Sequence, residues 1–207
     1  TILPGTEIST DGVHILAVFP PQNPRRRIHF IICDLLHETG FPIEDWGKNP
    51  KVGKLSPYST IELVVNKGGI PILAHIDGSD QAILNLYKLN SGAMKNVLCN
   101  KHLTSVEIVD PKRFIKKDSQ VKQPLKDWID KIRTEKRFDP LAYFQGSDAH
   151  DIPTIAKRHT FIKMTKPDFS GFSTAIQMPS SRVRISEVFK PVRADFTIHS
   201  MDISSAY

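Results

Sequence analysis

Gly68-Gly69-Ile70-Pro71-Ile72-Leu73-Ala74-His75-Ile76-Asp77 is the stretch whose reading decides the fold. Ile70 to Ala74 is an unbroken apolar run and makes a strand, with Pro71 tolerated near its start. The segment before it, Pro57 to Lys67, carries apolar residues at helical spacing. Ser56 is placed to cap that helix ahead of a proline at its first position, and Gly68-Gly69 ends it. A helix followed by a short buried strand, with polar residues at the strand's end, is the pattern that recurs along the chain.

Upstream, Val13-His14-Ile15-Leu16-Ala17-Val18-Phe19 is a strand closed by Pro20-Pro21. Residues 25–39 then place Ile28, Ile31, Ile32, Leu35 and Leu36 at a 3.6-residue period, stopped by Gly40 and Pro42. Residues 41–56, rich in Pro, Gly and Lys, form an irregular excursion. Downstream the spacing predicts a helix over 80–98, a strand over 104–109, a basic loop over 112–122 and a helix over 124–137. A short strand follows at 141–144, then a strand at 160–164, a short helix near 171–177 and a strand-like tail from Val183. Alternating short strands and amphipathic segments indicate β/α units, hence an α/β fold with a largely parallel sheet or barrel. No internal repeat or low-complexity tract interrupts it. Residues 1–185 read as one domain, and 186–207 as a linker or the start of a following domain.

Bulk composition narrows the class. At 207 residues and 40% hydrophobic the chain can bury a real core. Its 28 Lys+Arg against 22 Asp+Glu give a net charge of +6, which suits an anionic partner and equally a solvated basic surface. Cys33 and Cys99 are far apart, which argues against a disulfide framework or a thiolate zinc site and for a reducing, cytoplasmic setting. No apolar run approaches the roughly 18 residues of a membrane span. The opening Thr1-Ile2-Leu3-Pro4-Gly5-Thr6-Glu7 reads as mid-strand, so residues are expected before Thr1.

Ionisable residues gather at strand ends, the edge where β/α folds build sites. In Gly146-Ser147-Asp148-Ala149-His150, an aspartate and a histidine two apart can offer an oxygen and a nitrogen to one metal ion or to two neighbouring ones. A surface Asx-turn is the plain alternative. His75 ends its apolar strand, as a ligand or as a hydrogen-bonded core histidine. Glu7 could bridge two divalent ions, with His14 facing it across a return through Asp11-Gly12; otherwise it is a buried glutamate paired with an arginine. Arg158 follows closely enough to touch a substrate phosphate. The run Lys112, Arg113, Lys116, Lys117 could steer an anion or simply be solvated.

In order and separation, Gly5-Thr6-Glu7-Ile8, His14-Ile15-Leu16, Gly69 to His75 and Gly146 to His150 resemble the second, third and fourth motifs of the PHP (polymerase and histidinol phosphatase) superfamily. The resemblance implies a distorted (β/α)7 barrel, N-terminally truncated here, and hydrolysis of phosphoesters at two or three divalent ions (manganese, zinc, iron or magnesium). It implies Glu7 as the bridging carboxylate and His14, His75, Asp148 and His150 as further ligands, with Glu7, Asp148 and His150 catalytic. Two departures stand out: Ile76 replaces the proline that commonly follows the third motif's histidine, and the His-x-His first motif is absent. The fragment is accordingly expected to bind metal weakly and hydrolyse slowly. Ile162-Lys163-Met164, Phe169-Ser170-Gly171-Phe172 and Arg182-Val183-Arg184 resemble the PHP region of TrlF-type proteins that continue into an AAA-like or SMC-like ATPase. The implied partner is a phosphoester, small or polynucleotide, and a C-terminal ATPase domain. The competing expectation is a regulatory or nucleic-acid-binding module with little hydrolysis of its own.

Overall fold

The computed structural model describes residues 2–21, 27–48, 52–78, 82–87, 91–118, 121–147, 149, 151–155 and 157–186. Strands β1 (Gly5–Thr10) and β2 (Val13–Val18) form a hairpin whose two turn residues, Asp11 and Gly12, both hold positive φ, 49° and 78°. An Asp-Gly pair suits that turn because neither residue pays heavily for a left-handed backbone. Helix α1 (Ile28–Glu38) and helix α2 (Pro57–Asn66) follow, and Ser56 Oγ accepts from Ser59 N at 3.2 Å to cap α2. Then come β3 (Ile70–Leu73), α3 (Ile83–Leu86), α4 (Gly92–Leu98) and β4 (Ser105–Glu107). The chain continues through α5 (Pro111–Ile115), α6 (Leu125–Glu135), β5 (Ala142–Phe144), β6 (Thr160–Ile162), α7 (Phe169–Gln177), α8 (Pro179–Arg182) and β7 (Val183–Ile185).

The expected (β/α)7 barrel is not what forms among the described residues. The main sheet has five strands in the order β1-β2-β3-β4-β5 and stays open, while β6 and β7 pair separately and antiparallel. Direction is the physical reason. A two-residue turn can only reverse the chain, so β1 and β2 are antiparallel. β2 is also antiparallel to β3, and only β3, β4 and β5 run parallel. The sheet is therefore mixed, a hairpin joined to a parallel trio.

Two local expectations change as well. Among the described residues of 80–98 there are two short helices, and Ser91 Oγ, accepting from Met94 N at 3.2 Å, starts α4 afresh. The basic loop at 112–122 begins with α5, capped by Asp110 through Lys112 N at 2.9 Å. Tail residues 187–207 lie outside the described residues.

Strand alternation sends side chains to two faces. Val13, Ile15 and Leu73 point to one face and pack with Ile61 of α2, Leu98 of α4 and Ile129 of α6, while Ile8, Ala17 and Phe19 meet Ile31 and Leu35 of α1. Ile70, Ile72 and Ala142 take the other face, under Phe172 and Ile176 of α7 and Val183 of β7. The sheet, held from both sides, fixes the strand ends that carry the ionisable residues.

Candidate metal centre

The C-terminal ends of β3, β4 and β5, the end of β1 and the start of β2 share one sheet edge, a consequence of the strand directions. On the hairpin, Ser9 lies opposite His14 and Glu7 opposite Leu16. Glu7 and His14 are thus diagonal neighbours on one face, close enough for their side chains to meet. Ala74 N donates to His14 O at 3.0 Å, which brings the residue after Ala74 alongside. That residue, His75, adopts φ 30°. A left-handed backbone is unusual for a histidine, and it turns the chain sharply off the end of β3. The turn is secured by Gly78 N to His75 O at 2.8 Å and Ile76 N to Glu107 O at 2.9 Å.

Three donors converge as a result. His75 Nε2 lies 3.1 Å from His14 Nδ1, the two rings meet edge to face with centroids 4.9 Å apart, and His14 Nδ1 contacts Glu7 Oε1. One ligand atom from each of Glu7, His14 and His75 lies within 4.8 Å of the others. Glu7 is exposed and both histidines are half-buried, so the cluster is open to solvent.

The chemistry of this donor set fits a cation. A carboxylate only accepts, and a neutral imidazole brings one N–H and one lone pair. If His14 Nδ1 carries its proton towards Glu7, it has no lone pair left for His75 Nε2, so one hydrogen must serve two acceptors. An ion bound at about 2.0–2.2 Å would hold tetrahedral donors roughly 3.3–3.6 Å apart, close to the observed spacing of the imidazoles. Glu7, His14 and His75 could hold a divalent metal ion.

Beside the cluster is a cleft of ≈ 360 Å³ that Glu7, Ser9 and His14 share with Phe41, Trp46 and Lys48. The last three belong to the excursion at 41–56. The Trp46 indole is fixed by donating to Phe41 O at 3.2 Å.

Asp148 and His150 lie outside the described residues. Gly146, two residues before Asp148, sits against Glu107: a Cβ there would run into Glu107 Oε1. Glu107 Oε2 in turn accepts from His75 N at 3.3 Å. Sequence reasoning missed Glu107. It follows the same rule as the others, an acidic residue at the end of a strand, and that rule could have found it.

Arg158 is half-buried, donating to Ser147 O at 3.2 Å and Val109 O at 3.5 Å, which ties the loop ahead of Asp148 to the end of β4. Asp77 accepts from Val109 N at 2.7 Å and Asp110 N at 3.1 Å and organises the link between β4 and α5. Burial raises its carboxyl pKa above the usual value, and those two N–H groups oppose the rise. His29 stacks against Phe30 within α1, and His159 packs on the Phe161 ring, both away from the cluster's contacts. No family model matches the chain, and neither does any curated protein.

Proposed function

We propose that the chain is a metal-dependent phosphoesterase of the PHP kind, in which Glu7, His14 and His75 form part of a divalent metal centre that Asp148 and His150 complete. The observation that carries this reading is the convergence of a carboxylate from within β1, an imidazole near the start of β2 and an imidazole just past the end of β3. Mixed oxygen and nitrogen donors suit manganese, zinc or iron, and less readily magnesium.

A bound divalent ion would supply Lewis-acid polarisation of a phosphoryl oxygen and acidification of water. The chain's own residues do the rest. Glu7 orients the His14 ring through Nδ1. Glu107 fixes His75 through its backbone N–H. Arg158 holds the loop that leads to Asp148 through Ser147 O. No serine or cysteine nucleophile is needed.

The test is a titration of the chelator-stripped protein with manganese or zinc, followed by hydrolysis of a generic aryl phosphodiester and phosphomonoester. Turnover that rises with metal, vanishes in chelator and is abolished by Asp148→Ala and His14→Ala is expected. Saturable metal binding with no turnover would instead favour the regulatory or nucleic-acid-binding module, the metal then serving structure alone.

A further inference from the structure

At the opposite edge of the sheet, where the chain enters β4 and β5, a cavity of ≈ 470 Å³ is lined by Lys101, Leu103, Arg133, Arg137, Phe138 and Asp139, among others. Its volume falls in the range of small-molecule sites. Its cations outnumber its acids, since Lys101, Arg133 and Arg137 face a single carboxylate, Asp139. Arg133 is the unusual member, being only 3% exposed. Three of its five N–H groups are used on carbonyl oxygens: Nε to Asp139 O at 2.8 Å, Nη2 to Leu103 O at 3.1 Å, and Nη1 to Leu98 O. Among the described residues no carboxylate lies within ion-pair distance of it. Carbonyl groups orient a guanidinium but carry no formal charge, and buried charges are ordinarily paired. Burial lowers its pKa, the neighbouring Asp130 and Asp139 oppose that fall from beyond ion-pair distance, and the guanidinium lies over the Phe138 ring, 5.6 Å from its centroid.

Arg137 adds a second anomaly. It holds φ 63° just past the end of α6, where glycine or asparagine is the unstrained choice. A cation at a helix C-terminus is favourable in its own right. Arg133 and Arg137 lie in and just past the last turn of α6, and Lys101 follows the end of α4, so that effect favours all three; it does not account for the cavity they share.

We propose that this cavity binds a phosphorylated small molecule, at a site separate from the metal centre. Lys101 and Arg137 would meet the phosphate at the rim, with the fixed charge of Arg133 behind them, while Phe138 and Pro140 receive the organic part. The proposal does not depend on the chain being a phosphoesterase.

The experiment is calorimetric titration of the full, metal-free chain with inorganic phosphate and with phenylphosphonate, which has no phosphoester bond to break, at fixed ionic strength. Saturable binding is expected for both, with phenylphosphonate tighter by about tenfold because of the apolar wall. The double variant Lys101→Gln, Arg137→Asn leaves Arg133 and its carbonyl bonds in place and puts a residue tolerant of positive φ at 137. It should weaken both ligands by at least tenfold, whereas His14→Ala should leave them unchanged. Absence of saturable binding, equal affinity for the two probes, an unaffected double variant or loss of binding in His14→Ala would each overturn the proposal. Far-ultraviolet circular dichroism and thermal melting of each variant separate lost binding from lost fold.

Discussion

Replacing Gly146 with alanine is expected to damage the metal centre from outside it. The new Cβ would meet Glu107 Oε1, and since that atom is the end of a flexible side chain, the carboxylate swings away rather than the backbone moving. What is lost is the hydrogen bond from His75 N to Glu107 Oε2, which at 3.3 Å is long and only part-buried. A hydrogen bond to a charged group contributes about 1.5–3 kcal/mol; with the length and exposure, about 1 kcal/mol is expected here. For a domain of this size that corresponds to a fall of about 2–4 °C in Tm. Its effect on function should be larger. Without Glu107, the left-handed backbone of His75 has lost one of its supports, and disturbing a residue that orients a ligand typically costs 10–100-fold in metal affinity. Urea unfolding and competitive zinc titration would be run on Gly146→Ala, Glu107→Ala and the pair. The two single variants should resemble each other, and in the Glu107→Ala background the Gly146 change should add under about 0.5 kcal/mol, because its clash partner is gone. Fully additive effects, or a Gly146→Ala protein with undiminished stability and affinity, would refute the contact on which this reasoning rests.

Other expectations are simpler. His75→Gly should lose metal affinity yet unfold no more easily than the metal-free parent, since glycine relieves a backbone strain of about 1 kcal/mol; chemical denaturation in chelator checks this. Tyr143→Phe removes a buried hydroxyl that donates to Asp130 at 2.8 Å and should cost about 1–2 kcal/mol in urea unfolding, with metal binding intact. Asp77 has its carboxyl pKa raised in the fold, so between the ordinary carboxylate value and the raised one the folded state holds more protons than the unfolded. Stability contributed by this group therefore grows as pH falls through that window and is lost as pH rises. Relative to Asp77→Asn, the parent should gain stability on acidification from neutral pH towards pH 4, as measured by urea unfolding at each pH.

Much of the fold is legible in the residues themselves. Ile70 to Ala74 and Val13 to Phe19 are too uniformly apolar to be anything but buried, and Asp11-Gly12 marks the hairpin between two strands. Strand direction is not legible that way. Two helices intervene between β2 and β3, the usual sign of a parallel crossover, yet the strands are antiparallel, and the barrel expectation fails at that point. The break between α3 and α4 is equally hidden in the apolar spacing, because Ile83, Leu84, Met94, Val97 and Leu98 fit one continuous helix until Ser91 is recognised as a cap. At the site, His14 and His75 could be picked out because histidines beside a strand's start or end are conspicuous, and Glu7 because a carboxylate on the neighbouring strand faces His14 across the Asp11-Gly12 return. Glu107 ends β4 and meets the same rule, but the role it plays, a contact with the His75 backbone across 32 positions, is not visible in the residues. Asp148 and His150, the most suggestive pair in the sequence, lie outside the described residues.

The most direct measurement is divalent metal bound at equilibrium, by dialysis against a buffered zinc or manganese concentration and elemental analysis, for the parent and for Glu7→Ala, His14→Ala and His75→Ala. Three donors converging on one ion predict saturable binding by the parent and a loss of roughly 10²-fold or more for each single variant, with the folds intact by circular dichroism. Metal bound equally well by all four proteins, or by none, would contradict a metal centre built on these side chains.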